Sequence, residues 1–484
     1  MNADLLLVGG VVLTMDPERR VIENGAVAIM EDRIVAVGPE AEVVARVRPL
    51  KKIDARRKAI LPGLIDAHAH GGHTLFKMIG AYLPSRTWLS VIADVYFNAT
   101  TPDYWHADGL LAALERAKSG ITCGVMMLGN EPRTDDPEYG HAFARGSAAI
   151  GGRTIISVGP PGPPWPRKFT RWEGDRSQSY EATYERCLAV TEELVRGLHG
   201  TCGGRIRLML GPAYMPAVPH SESPTVEELR VAARQASDIR RLGNRYGTFI
   251  HTHAYRGEVE HVHENFKGFL GPDVLLAHCT GITIEDQEIL RELDVKVAHC
   301  PKAHRAYAAR CPVPELVDLG VHVAVTSDAS APDRTFDLFE AMRAAQRLQR
   351  AHFHDPSILP PGKMLESVTI DAAAAVGLAA EIGSLEIGKK ADITLVDLWR
   401  PHLVPSMMPL WQLVHAATAA DVTDVFVDGR PIVADGRCLT LDEDDTLELA
   451  TEETTRMVQR ANIQSLLQLP PGIWGTSRLE SAVP

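Results

Sequence analysis

The sequence predicts an α/β protein: a distorted (β/α)8 TIM barrel with a small β-sandwich domain assembled from both chain ends. Three observations lead to this expectation. The middle of the chain repeats eight short apolar runs, mostly separated by amphipathic helical patterns. Both ends of the chain are instead rich in short β-type runs and turns. The length of 484 residues exceeds one ordinary core but suits a large barrel with an accessory domain.

Residues 1–61 carry LLLVGGVVLTM, GAVAIM, RIVAVG and KKIDARRKAIL, read as the first part of the sandwich. Residues 62–384 hold the barrel. Its runs are LIDAHAH (64–70), ITCGVMML (121–128), TIISVG (154–159), IRLMLGP (206–212), TFIHTHA (248–254), VLLAHC (274–279), VKVAHC (295–300) and HVAVTSD (322–328). Segments such as TVEELRVAARQASDIRRLGNRYG and IEDQEILRELD supply the helices between them. Long insertions follow the first and third runs. The first carries Trp88 and Phe97; the second, GPPGPPWPRKF, reads as a proline-rich loop rimming a pocket. A doubly wound open sheet is the competing architecture, but no Gly-rich phosphate loop follows the first run. Residues 385–445 return to β texture in GSLEIGKKADITLVDL and VTDVFVDGRPIVADGRCL, and residues 446–484 read as a C-terminal helix and tail. The acidic tract Asp442–Asp445 is a solvated loop or a helix start.

A net charge of −12 argues against nucleic acid or an anionic membrane as partner, because both reward basic patches. No apolar run is long enough to span a bilayer, and the opening MNADLLLVGG lacks the basic region of a signal peptide. The seven cysteines form no CxxC pair, as expected of reduced thiols in a cytoplasmic protein. The expected partner is a small-molecule substrate.

Active sites of such barrels lie at the C-terminal ends of the strands. In PGLIDAHAHGGHTLF, His68 and His70 end the first run, and their i, i+2 spacing projects them to one side. His253, His278, His299 and Asp328 end the fifth to eighth runs. Imidazole and carboxylate groups gathered from separate segments suit a mononuclear divalent metal with an open position for water. Cys279 and Cys300 follow two of these histidines and are expected to project away from the barrel axis as core residues. His261 and His263 fall on a helical stretch, where i, i+2 residues do not share a face.

These motifs in order, PGLIDAHAH, HTHA, LLAHC, VTSDAS and GSLEIGKKADITLVDL, resemble the amidohydrolase superfamily. Within it they are similar to the mononuclear cytosine deaminase-like and triazine hydrolase (chlorohydrolase) branch, near the phenylurea and thiocarbamate hydrolases. The resemblance runs from about residue 4 to about residue 440. It implies that His68, His70, His253 and Asp328 hold one divalent ion, zinc first, with iron, manganese and cobalt suited by the same ligands. Asp328 and His278 would act in catalysis, His278 by orienting the attacking water or stabilising the oxyanion. The fourth run ends in LMLGPAYMP without the lysine that bridges two metals in binuclear members. Relatives are commonly homodimers or larger homo-oligomers.

The sequence departs from that branch in two places. Ring deaminases carry glutamate three residues after the fifth-strand histidine, and here that position is Arg256, which cannot act as an acid near neutrality. The seventh run continues as HCPKAHRAY, putting Lys302 and His304 where small polar groups usually stand. With His73, these make His73, Arg256, His304 and Lys302 the expected substrate-binding residues, Glu258 being a displaced carboxylate one turn on. An inward Arg256 would suit a carbonyl or carboxylate oxygen, so the expected reaction is hydrolysis of an amide, urea or (thio)carbamate C–N bond. Deamination or dechlorination of an N-heterocycle (triazine, pyrimidine or purine type) is the alternative, and a catalytically inactive scaffold the second.

Overall fold

The eight apolar runs become eight parallel strands, each buried on both faces as a parallel sheet requires. In the computed structural model, which describes residues 1–129, 133–212, 215, 225–475 and 477, they are β1 (Leu64–Asp66), β2 (Ile121–Leu128), β3 (Arg153–Val158), β4 (Ile206–Leu210), β5 (Ile250–Tyr255), β6 (Val274–Thr280), β7 (Lys296–His299) and β8 (Val323–Val325). They pair in sequence order. Ala213, Tyr214 and Pro216, from the end of the fourth run, lie outside the described residues.

Alternation divides the side chains. Ile65, Val125, Ile155, Met209, Leu275, Ala277, Ala298 and Ala324 fill the barrel interior together with Ala372, Ala373 and Ala375 from the helix Ile370–Ala375. Leu64, Met126, Ile156, Leu208, Leu276, Val297 and Val323 face outward into the main core beneath the helices. Side chains complete the ring between β8 and β1. Asp66 accepts from the Ser327 backbone N–H (3.0 Å) and hydroxyl (2.6 Å), and the Asp328 N–H reaches the His68 carbonyl (3.2 Å).

The expected sandwich is one continuous nine-stranded sheet. Lys58–Pro62 from the N-terminal part pairs antiparallel with Ile393–Asp397 from the C-terminal part, joining the two chain ends. One face buries Leu5, Leu7, Val27, Ile60, Ile393 and Phe426; the helix Glu40–Arg46 covers part of the other through Val43. Arg153, the first residue of β3, bridges barrel and sheet. It bonds both oxygens of Asp392 (2.7 and 3.1 Å) and also Asp428, which Arg205 and Lys390 approach at 3.3 and 3.4 Å.

The proline-rich insertion is more than a rim loop: it runs into an antiparallel hairpin, Arg167–Glu173 with Arg176–Ala182. The alternating flanks of the Gly174–Asp175 turn were a signal for it. The acidic tract starts the helix Glu443–Ala461: Asp442 accepts from the Asp445 N–H (3.1 Å), and the acids that follow complement the helix dipole. That helix reaches the loop after β1 through the Thr454 hydroxyl, which donates to the Leu75 carbonyl (3.1 Å). No helix among the described residues is long and apolar enough to cross a membrane, and all seven cysteines are free thiols.

Replacing Arg153 with methionine strands the buried Asp392 carboxylate, while Asp428 keeps Arg205 and Lys390. We expect Arg153→Met to cost about 3–5 kcal/mol of unfolding free energy, measured by urea denaturation.

Candidate metal centre

Each expected ligand arrives at the site by a distinct local device. After Asp66 the first strand breaks and resumes at His70 and Gly71, which pair with Met127 and Leu128 of β2. His251 and His253 alternate inward on β5 because Ile250 faces the outer core. His278 shares the outward parity of Leu276, yet a bulge redirects it: pairing with β5 jumps from Ala254↔His278 to Tyr255↔Thr280. Within that bulge His278 and Cys279 take left-handed backbone (φ 68° and 46°), as does Asp328 (φ 63°). Such backbone costs a non-glycine residue of the order of 1–3 kcal/mol and concentrates at functional sites.

The ligand-type atoms converge. His68 Nε2 lies 3.4 Å and His70 Nε2 3.6 Å from Asp328 Oδ1, and His253 Nε2 lies 3.3 Å from His70 Nε2. Ligand atoms of His68, His70 and His253 fall within 4.8 Å of one another, as do those of His68, His278, Cys300 and Asp328. All are buried.

Hydrogen-bond polarity explains why a cation fits. The Leu275 carbonyl can only accept, so His251 Nδ1 (2.9 Å away) carries a proton. Burial pushes the His251 imidazole down to about 4, so it is neutral and its Nε2 is bare. His68 Nδ1–H therefore donates to His251 Nε2 (2.7 Å), which leaves His68 Nε2 with an exposed lone pair. That atom is buried and has no hydrogen-bond partner among the described residues. His70 Nδ1 likewise faces the Gly129 carbonyl (3.1 Å), turning a second bare Nε2 toward the centre. Bare nitrogens opposite a carboxylate repel each other unless a cation lies between them. The separations match the edge of a tetrahedron, about 3.4 Å for ligand bonds of about 2.1 Å.

Burial holds His68, His70 and His253 below the usual imidazole range, in the neutral state a metal ligand requires. Burial alone would raise the Asp328 carboxyl. The Arg334 guanidinium (3.2 Å from Oδ2) and His68 outweigh it and hold Asp328 well below the carboxylate range. Arg334 is itself fixed by the Ala329 and Ala331 carbonyls. The His278 ring stacks between His253 (5.3 Å) and Tyr255 (5.6 Å).

His73 lies beside the cluster, its ring 4.9 Å from that of His70. Its loop is held by the first insertion and the helix after it. Asp108 accepts from the N–H groups of Gly72, Thr74 and Leu75, and the Tyr104 hydroxyl donates to the Gly72 carbonyl. Gly72 has φ 81°, and a Cβ there would meet Trp105 at 2.7 Å.

The other three expected substrate-binding residues have protein partners of their own or stand at the surface. Lys302 is buried but turns its ammonium to the Thr335 carbonyl (2.8 Å) and Glu340 (2.9 Å), at the start of the outer helix Leu338–Phe353. Arg256 stands exposed, with no hydrogen bond or ion pair among the described residues. His304 bridges Ser85 (3.3 Å) and Asp333 (3.1 Å), tying the loops after β1 and β8 together at the rim. Cys300 does not project away from the axis: it shares the inward parity of Ala298, and burial keeps its thiol protonated. Cys279 packs in the outer core as expected. His299 faces outward, into a cavity of about 320 Å³ lined also by Gln349 and His352. Sequence reasoning missed His251, Arg334, Asp108 and Tyr96. His251 could have been found from its i, i+2 spacing to His253.

Two measurements follow. His251→Ala should lower metal affinity about 10- to 100-fold while the barrel stays folded, checked by elemental analysis after dialysis and by circular dichroism. Burial pushes His251 to about 4 and His299 to about 3, both depressed, so their contribution to stability is full above the unfolded value of about 6.5 and is lost as pH falls toward the folded values. In metal-free protein each should cost about 1.4 kcal/mol per pH unit below about 6.5, and His299→Phe should flatten the slope in urea titrations.

The amidohydrolase family model matches residues 59–432. A 5-methylthioadenosine/S-adenosylhomocysteine deaminase of Syntrophobacter fumaroxidans is 32% identical over 460 residues, covering 92% of this chain and 97% of that protein. Among solved structures, an adenosine deaminase from Xanthomonas campestris with bound zinc superposes with a TM-score of 0.80 at 24% identity, covering 95% of this chain and 99% of that one. An atrazine chlorohydrolase from Arthrobacter aurescens, complexed with zinc, has a TM-score of 0.77 at 21% identity, covering 93% and 100%. With the matched region spanning the barrel and the strands that close the sheet, this chain belongs to the amidohydrolase family.

Proposed function

We propose that the chain is a metal-dependent aminohydrolase that removes an amino group from an N-heterocycle of the adenine-nucleoside type. The observation that carries this reading is the convergence of bare imidazole nitrogens on an ionised Asp328. The choice of leaving group is supported by the relative named a deaminase across 92% of this chain. It replaces the amide, urea or (thio)carbamate expectation, which depended on an inward Arg256; that side chain stands exposed.

In this reading His68, His70, His253 and Asp328 hold one divalent ion of the zinc type, and such an ion lowers the pKa of bound water toward neutrality. Asp328 takes the proton of the attacking water and delivers it to the amino nitrogen. A C–O bond forms as the C–N bond breaks, and ammonia leaves. His278 is assigned to stabilising charge that develops at the reacting carbon. His73 contacts the substrate ring. Glu258, whose carboxylate accepts from the Tyr255 N–H (2.9 Å), stands on the turn beside the ring that stacks on His278.

The test is product analysis before and after chelation: ammonia from 5′-methylthioadenosine, adenosine and an aminopyrimidine, chloride from a chloro-triazine, and the arylamine from an aryl urea and an anilide. An adenine-type nucleoside should react and chelation should stop it; turnover of the urea or anilide alone would sink the proposal. Asp328→Ala should cut kcat by about 10²- to 10⁴-fold in a folded protein. Arg256→Ala should leave kcat/KM within about threefold of the parent, and a larger loss would return Arg256 to the site.

A further inference from the structure

The Tyr96 hydroxyl lies 2.6 Å from His73 Nδ1. Tyr96 is fully buried, and among the described residues its hydroxyl has no other acceptor. A sealed hydroxyl with one neighbour either donates to it or forfeits its bond, at a cost of about 1–3 kcal/mol. His73 Nδ1 is therefore the acceptor. The Gly71 carbonyl, 3.5 Å away, is too distant to hold a proton on that nitrogen. The single ring proton of His73 is then on Nε2.

Nε2 has no acceptor among the described residues, yet it is not one of the sealed, unpartnered buried atoms. It is therefore the ring nitrogen that keeps some accessible surface in an otherwise buried residue. The ring lies beside that of His70 (4.9 Å) and against the indole of Trp88 (5.6 Å). Tyr96 belongs to the helix Ser85–Asn98 of the first insertion, so the device is built outside the barrel and applied to a loop at its mouth.

We propose that Tyr96 is a positioning residue that locks His73 as a hydrogen-bond donor through Nε2–H. The site thereby selects neutral heterocycles that present a bare ring nitrogen next to the reacting carbon. An adenine-type ring offers such a lone pair beside its amino-bearing carbon. This inference rests on the heterocycle reading above.

Two arms test it on the full chain loaded with zinc. In the first, histidine imidazoles are labelled with nitrogen-15, and the His73 signals are identified by their absence from His73→Gln. Wild type should show a bare Nδ1 and a protonated Nε2, and Tyr96→Phe a mixture of tautomers. In the second, KM is measured for a heterocycle that the wild type turns over. His73→Leu and Tyr96→Phe should each raise KM about tenfold at unchanged metal content, while His73→Gln, whose amide NH₂ overlies the Nε2 corner, should restore KM to within about threefold. His73→Asn, which places its amide at the Nδ1 corner, should not restore it. A protonated Nδ1 in wild type, or equal rescue by asparagine and glutamine, overturns the proposal. If the wild type turns over no heterocycle, the functional reading fails while the spectra still decide the tautomer.

Discussion

The Leu275 carbonyl accepts from His251 Nδ1, and the direction of the protons behind His68 follows from that contact. Had His251 carried its proton on Nε2, its bare Nδ1 would face a carbonyl oxygen at 2.9 Å, lone pair against lone pair. The chain of donors therefore runs His68 to His251 to Leu275, and its free end is the His68 Nε2 lone pair opposite Asp328. A metal ligand gains orientation and basicity from such a partner behind it. His251 and Leu275 are built into parallel strands and His68 is fully buried in the break of the first strand, which leaves the imidazoles little freedom to turn away.

The loop after β1 is held by a different part of the protein. Asp108 gathers three N–H groups, and burial raises its carboxyl to about 6 even though those bonds favour the ionised form. Tyr104 and Tyr96 add hydroxyl contacts, and the C-terminal helix touches Leu75. The barrel thus supplies the candidate metal ligands, while the insertion and the helices around it hold the loop that carries His73. Separating the two lets the pocket wall change without disturbing the strands.

Arg256 and Arg334 show how position overrides residue type. Arg256 occupies the place where ring deaminases of the branch carry a glutamate, but it stands exposed after the end of β5. Arg334, in the loop after β8, has its guanidinium on the second oxygen of Asp328 and is anchored by two carbonyls. The cation that matters electrostatically lies in a loop with no periodicity to announce it.

The sequence by itself determined the barrel, because strands buried on both faces must be apolar throughout, and all eight runs became strands with ends shifted by three residues at most, apart from the first, which stops at Asp66 and resumes at His70. It also determined the convergence of His68, His70, His253 and Asp328, since barrel strands carry their C-terminal ends to one face. Tertiary structure decided the rest. His278 and His299 share one outward parity, and only the bulge in β6 turns His278 to the centre while His299 faces the outer helix. Lys302 turns its ammonium to backbone carbonyls and Glu340 at a helix start, partners that only the folded chain brings to it. Such choices depend on bulges, tautomers and distant hydrogen-bond partners, all of which exist only once the chain has folded.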